Sequence, residues 1–271
     1  PLNGNVTTNN FIPINVTAND SQNYISTFID FNGSLVSWWR MDDVNQTGKG
    51  AQVYDYTGKN NGTAFADAVQ AEGKLGKAFS FDGSGDIINF GNKADFNNLK
   101  EITFSVWIYP KTFQGYIFEK WAISAEDKEL SVQPGGNVRF RLWPLPALDS
   151  DPIPLNQWTL VTVTYDDYAM KIYINGVVNK TQLVSGSVTD STGDFRIGGT
   201  QNTNFNGLID DFMIFERIIS DEEISDLYAN MTQKYLFRNF TNLIHGNYTF
   251  KAYAQDTAGN VNWTEQREVK V

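Results

Sequence analysis

Residues 158–179 constrain the fold of this chain more than any other stretch. They read Trp-Thr-Leu-Val-Thr-Val-Thr-Tyr, a four-residue polar link, Met-Lys-Ile-Tyr-Ile, Asn-Gly and Val-Val-Asn. β-Branched and aromatic residues favour strands, and Asn-Gly is the preferred dipeptide of a type I′ turn. The stretch therefore predicts a three-stranded antiparallel meander with one apolar face. Other strands of the chain must cover that face.

Composition excludes several classes of function. With 271 residues, 41% hydrophobic and 14% aromatic, the chain is long enough for one large β domain and a smaller one. Its net charge is −10 without a Lys/Arg cluster, so we expect no nucleic-acid partner and no anionic-membrane surface. No cysteine is present, and His245 is the only histidine. Disulfides, thiolate or histidine-rich metal sites and a histidine-based triad are therefore not expected.

The sequence also carries signals of an extracellular protein. Asn-X-Ser/Thr triplets without proline begin at Asn5, Asn15, Asn32, Asn45, Asn61, Asn179, Asn230, Asn239, Asn247 and Asn262. They indicate a secreted glycoprotein surface, although an Asn- and Thr-rich chain also produces them by chance. The chain has no long apolar run and starts with Pro-Leu-Asn-Gly. We interpret it as a monomeric piece of a larger extracellular or cell-surface protein, without membrane insertion in this piece.

Short strands recur along the whole chain. Residues 1–31 contain two or three of them, and Pro13 favours an edge strand. Further strands are predicted at 102–109, 116–118, 129–132, 138–142, 194–197 and 208–215. This regular spacing predicts an all-β, antiparallel sandwich of two sheets. One helix is predicted, because Ser220 and Glu223 form a capping box ahead of an apolar stripe.

An ordered set of segments carries a resemblance to a known family. The segments are 39–42, 74–83, 104–108, 158–166, 171–176, 207–212 and 218–228. In this order and spacing they resemble the laminin-G-like/concanavalin A-like jelly roll, which would occupy residues 35–230. The resemblance implies non-catalytic recognition of a glycan or a cell-surface protein, often with a structural calcium ion.

A second resemblance brackets the first. Residues 243–260 are similar to the last hairpin of the immunoglobulin-like repeats of bacterial and archaeal surface proteins, and residues 1–31 are similar to the opening strands of that repeat. Each segment alone leaves an apolar face uncovered. We therefore predict one discontinuous immunoglobulin-like β-sandwich, residues 1–34 and 231–271, with the jelly roll inserted and Tyr248 placed as in a tyrosine corner.

Acidic residues at strand ends are candidate metal ligands. Calcium takes six to eight oxygen ligands, which loops rich in Asp and backbone carbonyls supply. The jelly-roll resemblance implies that five of these residues lie near one edge of the sandwich. They are Asp42, Asp43, Asp82, Asp210 and Asp211. Asp is also a common turn residue, so an ordinary turn cap remains the alternative for each of them.

Two tryptophans outside the expected core are candidate ligand-binding residues. Trp39, Trp107 and Trp158 match core positions of the jelly roll, whereas Trp121 follows a short strand and Trp143 begins a proline-rich loop. A stiff loop that presents an indole ring suits stacking against a sugar. The predicted site lies at residues 111–128 and 143–156, with Tyr116 and Arg141 completing the set. In the alternative, Trp143 packs with Pro144, Pro146 and Ile153 as a cap on the sheet edge.

An enzymatic function needs a suitably placed pair of carboxylates. Relatives of this fold cleave polysaccharides with acids that alternate along one strand. Residues 126–129 are predicted to form a turn, and Asp210 and Asp211 are adjacent on a strand and should face opposite ways. The sequence therefore favours a non-catalytic recognition module. The alternatives are a structural spacer of a surface-layer or adhesin-like protein and a polysaccharide-cleaving enzyme.

Overall fold

The computed structural model describes residues 1–122, 125–200 and 203–271. Within these ranges the chain is built almost entirely of strands, with one α-helix and a 3-10 turn at Ala94–Phe96. The elements are β1 Asn5–Val6, β2 Ile12–Asn19, β3 Ile25–Phe31, β4 Leu35–Trp39, β5 Gln52–Val53, β6 Gly62–Phe65, β7 Val69–Glu72, β8 Lys77–Asp82, β9 Ile87–Gly91, β10 Ile102–Pro110, β11 Gly115–Ala122, β12 Ala125–Val132, β13 Asn137–Leu142, β14 Leu148–Pro152, β15 Thr159–Tyr165, β16 Ala169–Ile174, β17 Val177–Leu183, β18 Asp194–Ile197, β19 Asn206–Phe215, α1 Asp221–Leu227, β20 Gln233–Phe240, β21 Asn247–Asp256, β22 Val261–Trp263 and β23 Arg267–Lys270.

Two large antiparallel sheets face each other. In the described ranges, the front sheet has the order β14-β13-β12-β11-β18-β9-β6-β5 and the back sheet the order β17-β16-β15-β10-β19-β8-β7, with β4 also paired to β19. Their inner faces enclose an aromatic-rich core that includes Trp39, Phe104, Phe118, Phe195 and Phe212. The predicted antiparallel jelly-roll sandwich is therefore confirmed.

The meander at residues 158–179 lies at one edge of the back sheet. β15 pairs with β16 from Val161–Ile174 to Tyr165–Met170, and β16 pairs with β17. Asn175 and Gly176 have φ values of 52° and 81°, as the predicted two-residue turn requires. The strand and turn residues of this segment therefore predicted its pairing correctly.

Strands from the two ends of the chain pair with each other. The flank sheet, with the order β1-β23-β21-β22, also contains β3, which pairs along β21 from Phe31–Phe250 to Ile25–Asp256. The flank ribbon consists of β2 and β20. Ile12, Ile14 and Leu236 of the ribbon pack against Ile29 and other apolar residues of the flank sheet. The immunoglobulin-like assignment and the limits 1–34 and 231–271 remain predictions.

Two predicted local contacts are present next to these sheets. The hydroxyl of Tyr248 donates to the carbonyl of Ile244 at 3.0 Å, four residues upstream, as in a tyrosine corner. The capping box of α1 is complete, because Glu223 N–H donates to Ser220 Oγ and Ser220 N–H donates to Glu223 Oε2. The predicted helix therefore begins where its cap places it.

The flank sheet and α1 cover the outer face of the back sheet. Trp38, Trp107 and Met213 of the back sheet lie in one apolar cluster with Phe28 of β3 and Leu227 of α1. The outer face of the front sheet has no such cover among the described residues and meets solvent. No helix in the described ranges is long and apolar enough to cross a membrane.

Candidate functional site

A groove of about 390 Å³ lies on the outer face of the front sheet. Strand alternation sends Phe118, Leu130 and Phe140 into the core and their polar neighbours outward. Tyr116, Trp121, Arg141 and Trp143, the four candidate ligand-binding residues, all line this groove. The structure therefore brings together residues that the sequence placed on separate segments.

The site lies mainly on strands rather than on loops. Tyr116 and Trp121 belong to β11 and Arg141 to β13, while the segment expected to be one long loop at 143–156 contains β14. The prediction of a loop-borne site was wrong in this respect. Residues 123 and 124, which fall within the predicted range 111–128, lie outside the described residues. A sheet face holds side chains more rigidly than a loop does, which suits a binding site.

The apolar residues of the proline-rich segment separate into two groups. Leu148 and Ile153 belong to the main core, and Leu145 packs against it. Trp143 instead lines the groove, where the Arg141 guanidinium lies 4.7 Å from its ring centroid. Trp121 is 39% exposed at the end of β11. Both indole rings are therefore positioned to contact a ligand.

A row of four charged side chains crosses the front sheet from strand to strand. In the strand register, Arg196 of β18 lies opposite Glu119 of β11, Glu119 lies opposite Glu129 of β12, and Glu129 lies opposite Arg141 of β13. Side chains at such opposed positions have Cβ atoms about 4.5–5.5 Å apart. Glu119 and Glu129 are only 4% and 9% exposed, so two carboxyl groups lie side by side in a largely buried position.

Burial determines the protonation of this pair. It raises the pKa of Glu119 to about 7, an effect that the Glu129 charge increases and the Arg196 charge opposes. Burial also raises the pKa of Glu129, with Arg141 and Arg139 opposing the rise. Within the described residues, Glu119 Oε1 accepts no hydrogen bond, and Arg196 Nη1 is 3.6 Å away. A buried acceptor without a donor is costly, and because this oxygen is buried, a ligand hydroxyl can satisfy it only after side chains of the groove move.

An ion-paired cluster lies beneath the groove. Lys120 Nζ donates to Asp127 Oδ2 at 2.7 Å, Lys128 also pairs with Asp127, and Ser191 N–H donates to the same carboxylate at 2.8 Å. All three charged groups are 0–2% exposed. Burial lowers the pKa of Lys128, and the Asp127 charge opposes that shift. These contacts fix β11 and β12 relative to the segment around Ser191.

Residues 126–129 are a strand, so the turn predicted there was wrong. They lie in β12, where Lys128 pairs with Lys120 and Glu126 pairs with Trp121, which leaves Asp127 as the extra residue of a bulge. The charges that suggested a turn are used for the buried ion pairs below the groove and for its polar lining. Sequence reasoning missed Glu119 and gave Glu129, at the end of that turn and the start of a predicted strand, no role in a site, because their adjacency depends on the pairing of β11 with β12.

A larger cavity, of about 490 Å³, lies at another edge of the sandwich between residues 98–101 and 186–190. Its aromatic residue, Tyr165, is 1% exposed and donates its hydroxyl hydrogen to Asp167 or Gly186, both within 3.0 Å. Among the described residues that line this cavity, none presents an exposed ring for stacking. We therefore regard the smaller groove as the candidate site.

The five candidate calcium ligands have other partners. Asp42 and Asp43 both accept from Arg40, and Asp42 also accepts from the Lys77 amide at 2.8 Å. Asp82 accepts from the Ser84 amide in its own turn. These contacts match the alternative of turn caps and charge pairs.

Asp210 and Asp211 form a buried pair on the flank-facing side of the back sheet. Asp210 accepts from the Leu75 amide at 2.9 Å, and Asp211 accepts from Trp38 Nε1 at 2.6 Å and Gln255 Nε2 at 3.0 Å. Asp211 has a φ of 44°, and the pairing of β10 with β19 shifts register beside it. The alternation that should have separated the two carboxyl groups is thus interrupted. Burial raises the pKa of Asp211 to about 8 and that of Asp210 well above its usual value.

The carboxylates do not form a calcium coordination shell. In the part of the chain that the structure describes, no group of three or more His, Cys, Asp or Glu side chains is arranged to hold a metal ion. Coordination by Asp42 and Asp211 would require them to release hydrogen bonds from Arg40 and Trp38. The five carboxylates as arranged do not fit the ion, so the expected calcium site is not supported at these residues.

Comparison with protein families gives a match to the concanavalin A-like lectin/glucanases superfamily, Laminin_G_3, over residues 82–225. The match spans more than half of the chain, which therefore belongs to this superfamily. Comparison with curated protein sequences gives no match.

Several solved structures share the fold. Domain 4 of AbnA, a GH43 extracellular arabinanase from Geobacillus stearothermophilus solved in complex with arabinotriose, is 24% identical, with a TM-score of 0.58 over 72% of this chain and 98% of that chain. The receptor binding domain of botulinum neurotoxin C/D mosaic serotype is 21% identical, with a TM-score of 0.56 over 73% of this chain and 51% of that chain. A Trypanosoma rangeli sialidase mutant displaying trans-sialidase activity is 14% identical, with a TM-score of 0.55 over 73% of this chain and 33% of that chain. The match thus spans about half of the neurotoxin domain, and these similarities establish the fold alone.

Proposed function

We propose that this chain is the glycan-recognition module of an extracellular or cell-surface protein and binds its ligand in the groove. The observation that carries this proposal is the position of Trp121 and Trp143 beside the buried Glu119, whose Oε1 lacks a hydrogen-bond donor. Aromatic rings take the apolar face of a sugar, and buried polar groups take its hydroxyls. The arabinotriose bound to AbnA domain 4 is consistent with this use of the fold.

The charges of the groove favour a neutral oligosaccharide. Arg139 is held by Asp149 through two hydrogen bonds of 2.8 Å, and Arg196 lies between Asp194 and Glu119. Arg141 lies opposite Glu129 in the strand register and against the Trp143 ring. An acidic sugar would meet the Glu119 and Glu129 carboxylates at the centre of the row. A neutral sugar can instead donate two neighbouring hydroxyls to them.

Binding to an oligosaccharide array tests the proposal. The wild-type protein is applied to neutral oligosaccharides, arabinotriose among them, and to uronic- and sialic-acid oligosaccharides of similar length. We expect retention on one or more neutral ligands. Binding to acidic ligands alone would contradict the ligand class, and binding to none would leave the structural spacer as the better account.

The Glu119–Glu129 pair favours a second candidate function, glycoside hydrolysis. Retaining glycosidases use two carboxyl groups about 5–5.5 Å apart, one protonated and one ionised. The raised pKa of Glu119 suits the acid; burial also raises the pKa of Glu129, and the Arg141 and Arg139 charges oppose that rise. Release of reducing ends from a bound neutral oligosaccharide by the wild-type protein, but not by Glu119→Gln or Glu129→Gln, is the expected sign. Intact ligand after prolonged incubation with the wild type would eliminate this candidate.

A structural calcium ion is a separate question from glycan recognition, and the proposal assigns it no role. Since the candidate carboxylates already accept hydrogen bonds, we expect the same thermal transition in millimolar calcium and in chelator. A ligand that binds only the folded state raises the melting temperature by mass action. A higher Tm in calcium, measured by calorimetry, would therefore show that the ion binds.

A further inference from the structure

The outward face of the flank ribbon exposes two aromatic side chains. Tyr235 and Phe237 of β20 are 65% and 54% exposed, whereas Leu236 between them is 1% exposed and packs in the flank core. Within the described residues the ribbon pairs only its own two strands, so each strand also has an open edge. Exposed apolar rings next to open strand edges promote association between molecules unless something covers them.

Three glycosylation triplets begin on this same face. They are Asn15-Val16-Thr17 and Asn239-Phe240-Thr241, given above, and Asn19-Asp20-Ser21, an eleventh such triplet of the sequence. The three asparagines are exposed and alternate with inward-facing residues of β2 and β20. The face therefore carries its acceptor residues and its exposed rings together.

The register brings these asparagines next to the rings. Asn15 pairs directly opposite Phe237, and Asn239 follows Phe237 by two residues on the same face. Thr17 pairs opposite Tyr235, which makes Asn19 the diagonal neighbour of Tyr235. Opposed side chains have Cβ atoms about 4.5–5.5 Å apart, and diagonal neighbours lie at about 7–8 Å. The first sugars of a glycan attached to one of these asparagines would thus reach the neighbouring aromatic ring.

The side-chain amides of these three residues are free to react. Among the described residues, no hydrogen bond engages the amide of Asn15, Asn19 or Asn239. In contrast, Asn61 Oδ1 accepts from the Asp55 amide at 2.9 Å, and Asn179 Oδ1 accepts from the Asp151 amide at 2.8 Å. The triplets therefore differ in whether the side-chain amide of the asparagine already takes part in a hydrogen bond within the protein.

We propose that Asn15, Asn19 and Asn239 carry N-linked glycans and that these glycans cover Tyr235 and Phe237. In the transfer, the Asn Nδ2 forms a bond to the anomeric carbon of an oligosaccharide carried on a polyisoprenyl phosphate or pyrophosphate. The bond from that carbon to the phosphate oxygen breaks, and the lipid phosphate leaves with the amide proton. The attached sugars place their apolar faces on the rings and their hydroxyls towards water. The proposal is independent of ligand binding in the groove.

Mass spectrometry of glycopeptides from the protein purified from its own cells tests the sites. We expect glycan on Asn15, Asn19 and Asn239, and unmodified side chains at Asn61 and Asn179. Unmodified Asn15 and Asn239 would overturn the proposal, whatever the state of the other triplets.

A pair of double variants tests the cover. Asn15→Gln with Asn239→Gln removes the sugars beside Phe237, whereas Asn5→Gln with Asn247→Gln changes exposed triplets of the flank sheet. Both double variants are produced in the same cells. Only the Asn15→Gln/Asn239→Gln variant should bind a hydrophobic dye more strongly than the wild type and self-associate. Adding Tyr235→Ser and Phe237→Ser to it should abolish both effects. Equal dye binding by the two pairs would overturn the covering role, as would a wild-type dimer that these aromatic substitutions dissociate.

Discussion

If the groove is the glycan site that we propose, ligand binding should depend most on the carboxyl group of Glu119. Burial and the neighbouring Glu129 charge raise its pKa to about 7, while Arg196 opposes the rise. A ligand hydroxyl that donates to the ionised carboxylate forms a charge-assisted hydrogen bond, which is stronger than a bond to a neutral acceptor. Binding of a neutral sugar should therefore favour the ionised form and lower the pKa of Glu119.

Affinity should consequently rise as the pH rises through about 7 and fall on the acidic side. A hydrogen bond to a charged group is worth about 1 kcal/mol more than one to a neutral group, so we expect about a fivefold loss between pH 8 and pH 5. Glu119→Gln should bind more weakly and lose most of this dependence, whereas the exposed Glu126→Gln should keep it. Titration calorimetry at several pH values measures the effect, and a wild-type affinity that does not change with pH would contradict it.

The sequence alone identified two groove residues, because the segments next to them are unusual. Trp143 was selected because a proline-rich segment follows it, and Trp121 because it comes just after a short strand; both line the groove. Glu119 and Glu129 are ten positions apart in the chain and become neighbours only through strand register. The buried acceptor at the centre of the site could not be predicted without that pairing.

The Asn175-Gly176 turn between β16 and β17 explains why the meander was predicted correctly. Gly176 has a φ of 81°, and a Cβ added there would lie 3.1 Å from Ser225 Cα and 3.3 Å from Tyr228 Cβ. The turn therefore packs against α1 as well as reversing the chain. This contact depends on the tertiary fold, whereas the turn type follows from Asn-Gly alone.

Gly176→Ala should destabilise the protein more than Gly58→Ala does. Both glycines have φ near 80°, but a Cβ at Gly58 would have open space. A left-handed conformation costs a non-glycine residue roughly 1–2 kcal/mol, which both variants should lose. Only Gly176→Ala must also displace α1. Equal losses in the free energy of unfolding, measured by denaturant titration, would mean that the turn does not press on the helix.

Elements with a polar sequence were the ones predicted wrongly. β12 begins Ala-Glu-Asp-Lys-Glu, which favours a turn by local preference, yet it forms a strand whose Lys128 and Asp127 are buried. Pairing with β11 and the shared ion pairs with Lys120 override that preference. Such an override is non-local, so sequence periodicity does not reveal it.

The molecule as a whole joins the jelly roll to the flank sheet through a mixed interface. Phe28 of β3 meets Trp38 and Phe215 edge to face, and Gln255 of β21 donates to Asp211. The pairing of the chain ends was predicted from their uncovered apolar faces, but this contact with the back sheet was not. This contact is made by apolar residues on the outer face of the back sheet. The sequence pattern of those strands indicates mainly their inner, core-facing residues.

Residues 35–230 expressed alone should therefore be less stable than the full chain. Removal of the flank strands uncovers Trp38 and leaves Asp211 without Gln255. Each large apolar side chain that becomes fully exposed costs about 1.5–3 kcal/mol. Calorimetry should show one transition for the full chain and a lower Tm for the shorter one. Equal melting temperatures would show that the flank sheet contributes nothing to the jelly roll.

Titration calorimetry with a neutral oligosaccharide selected on the array tests whether the groove binds the glycan. Trp143→Ala removes a ring from the groove, whereas the matched Trp263→Ala removes a 52% exposed ring from β22 of the flank sheet. Loss of one stacked ring should lower affinity by about tenfold, or roughly 1.4 kcal/mol, in the first variant alone. Unchanged affinity of Trp143→Ala, with wild-type binding intact, would contradict the assignment of the groove as the glycan site.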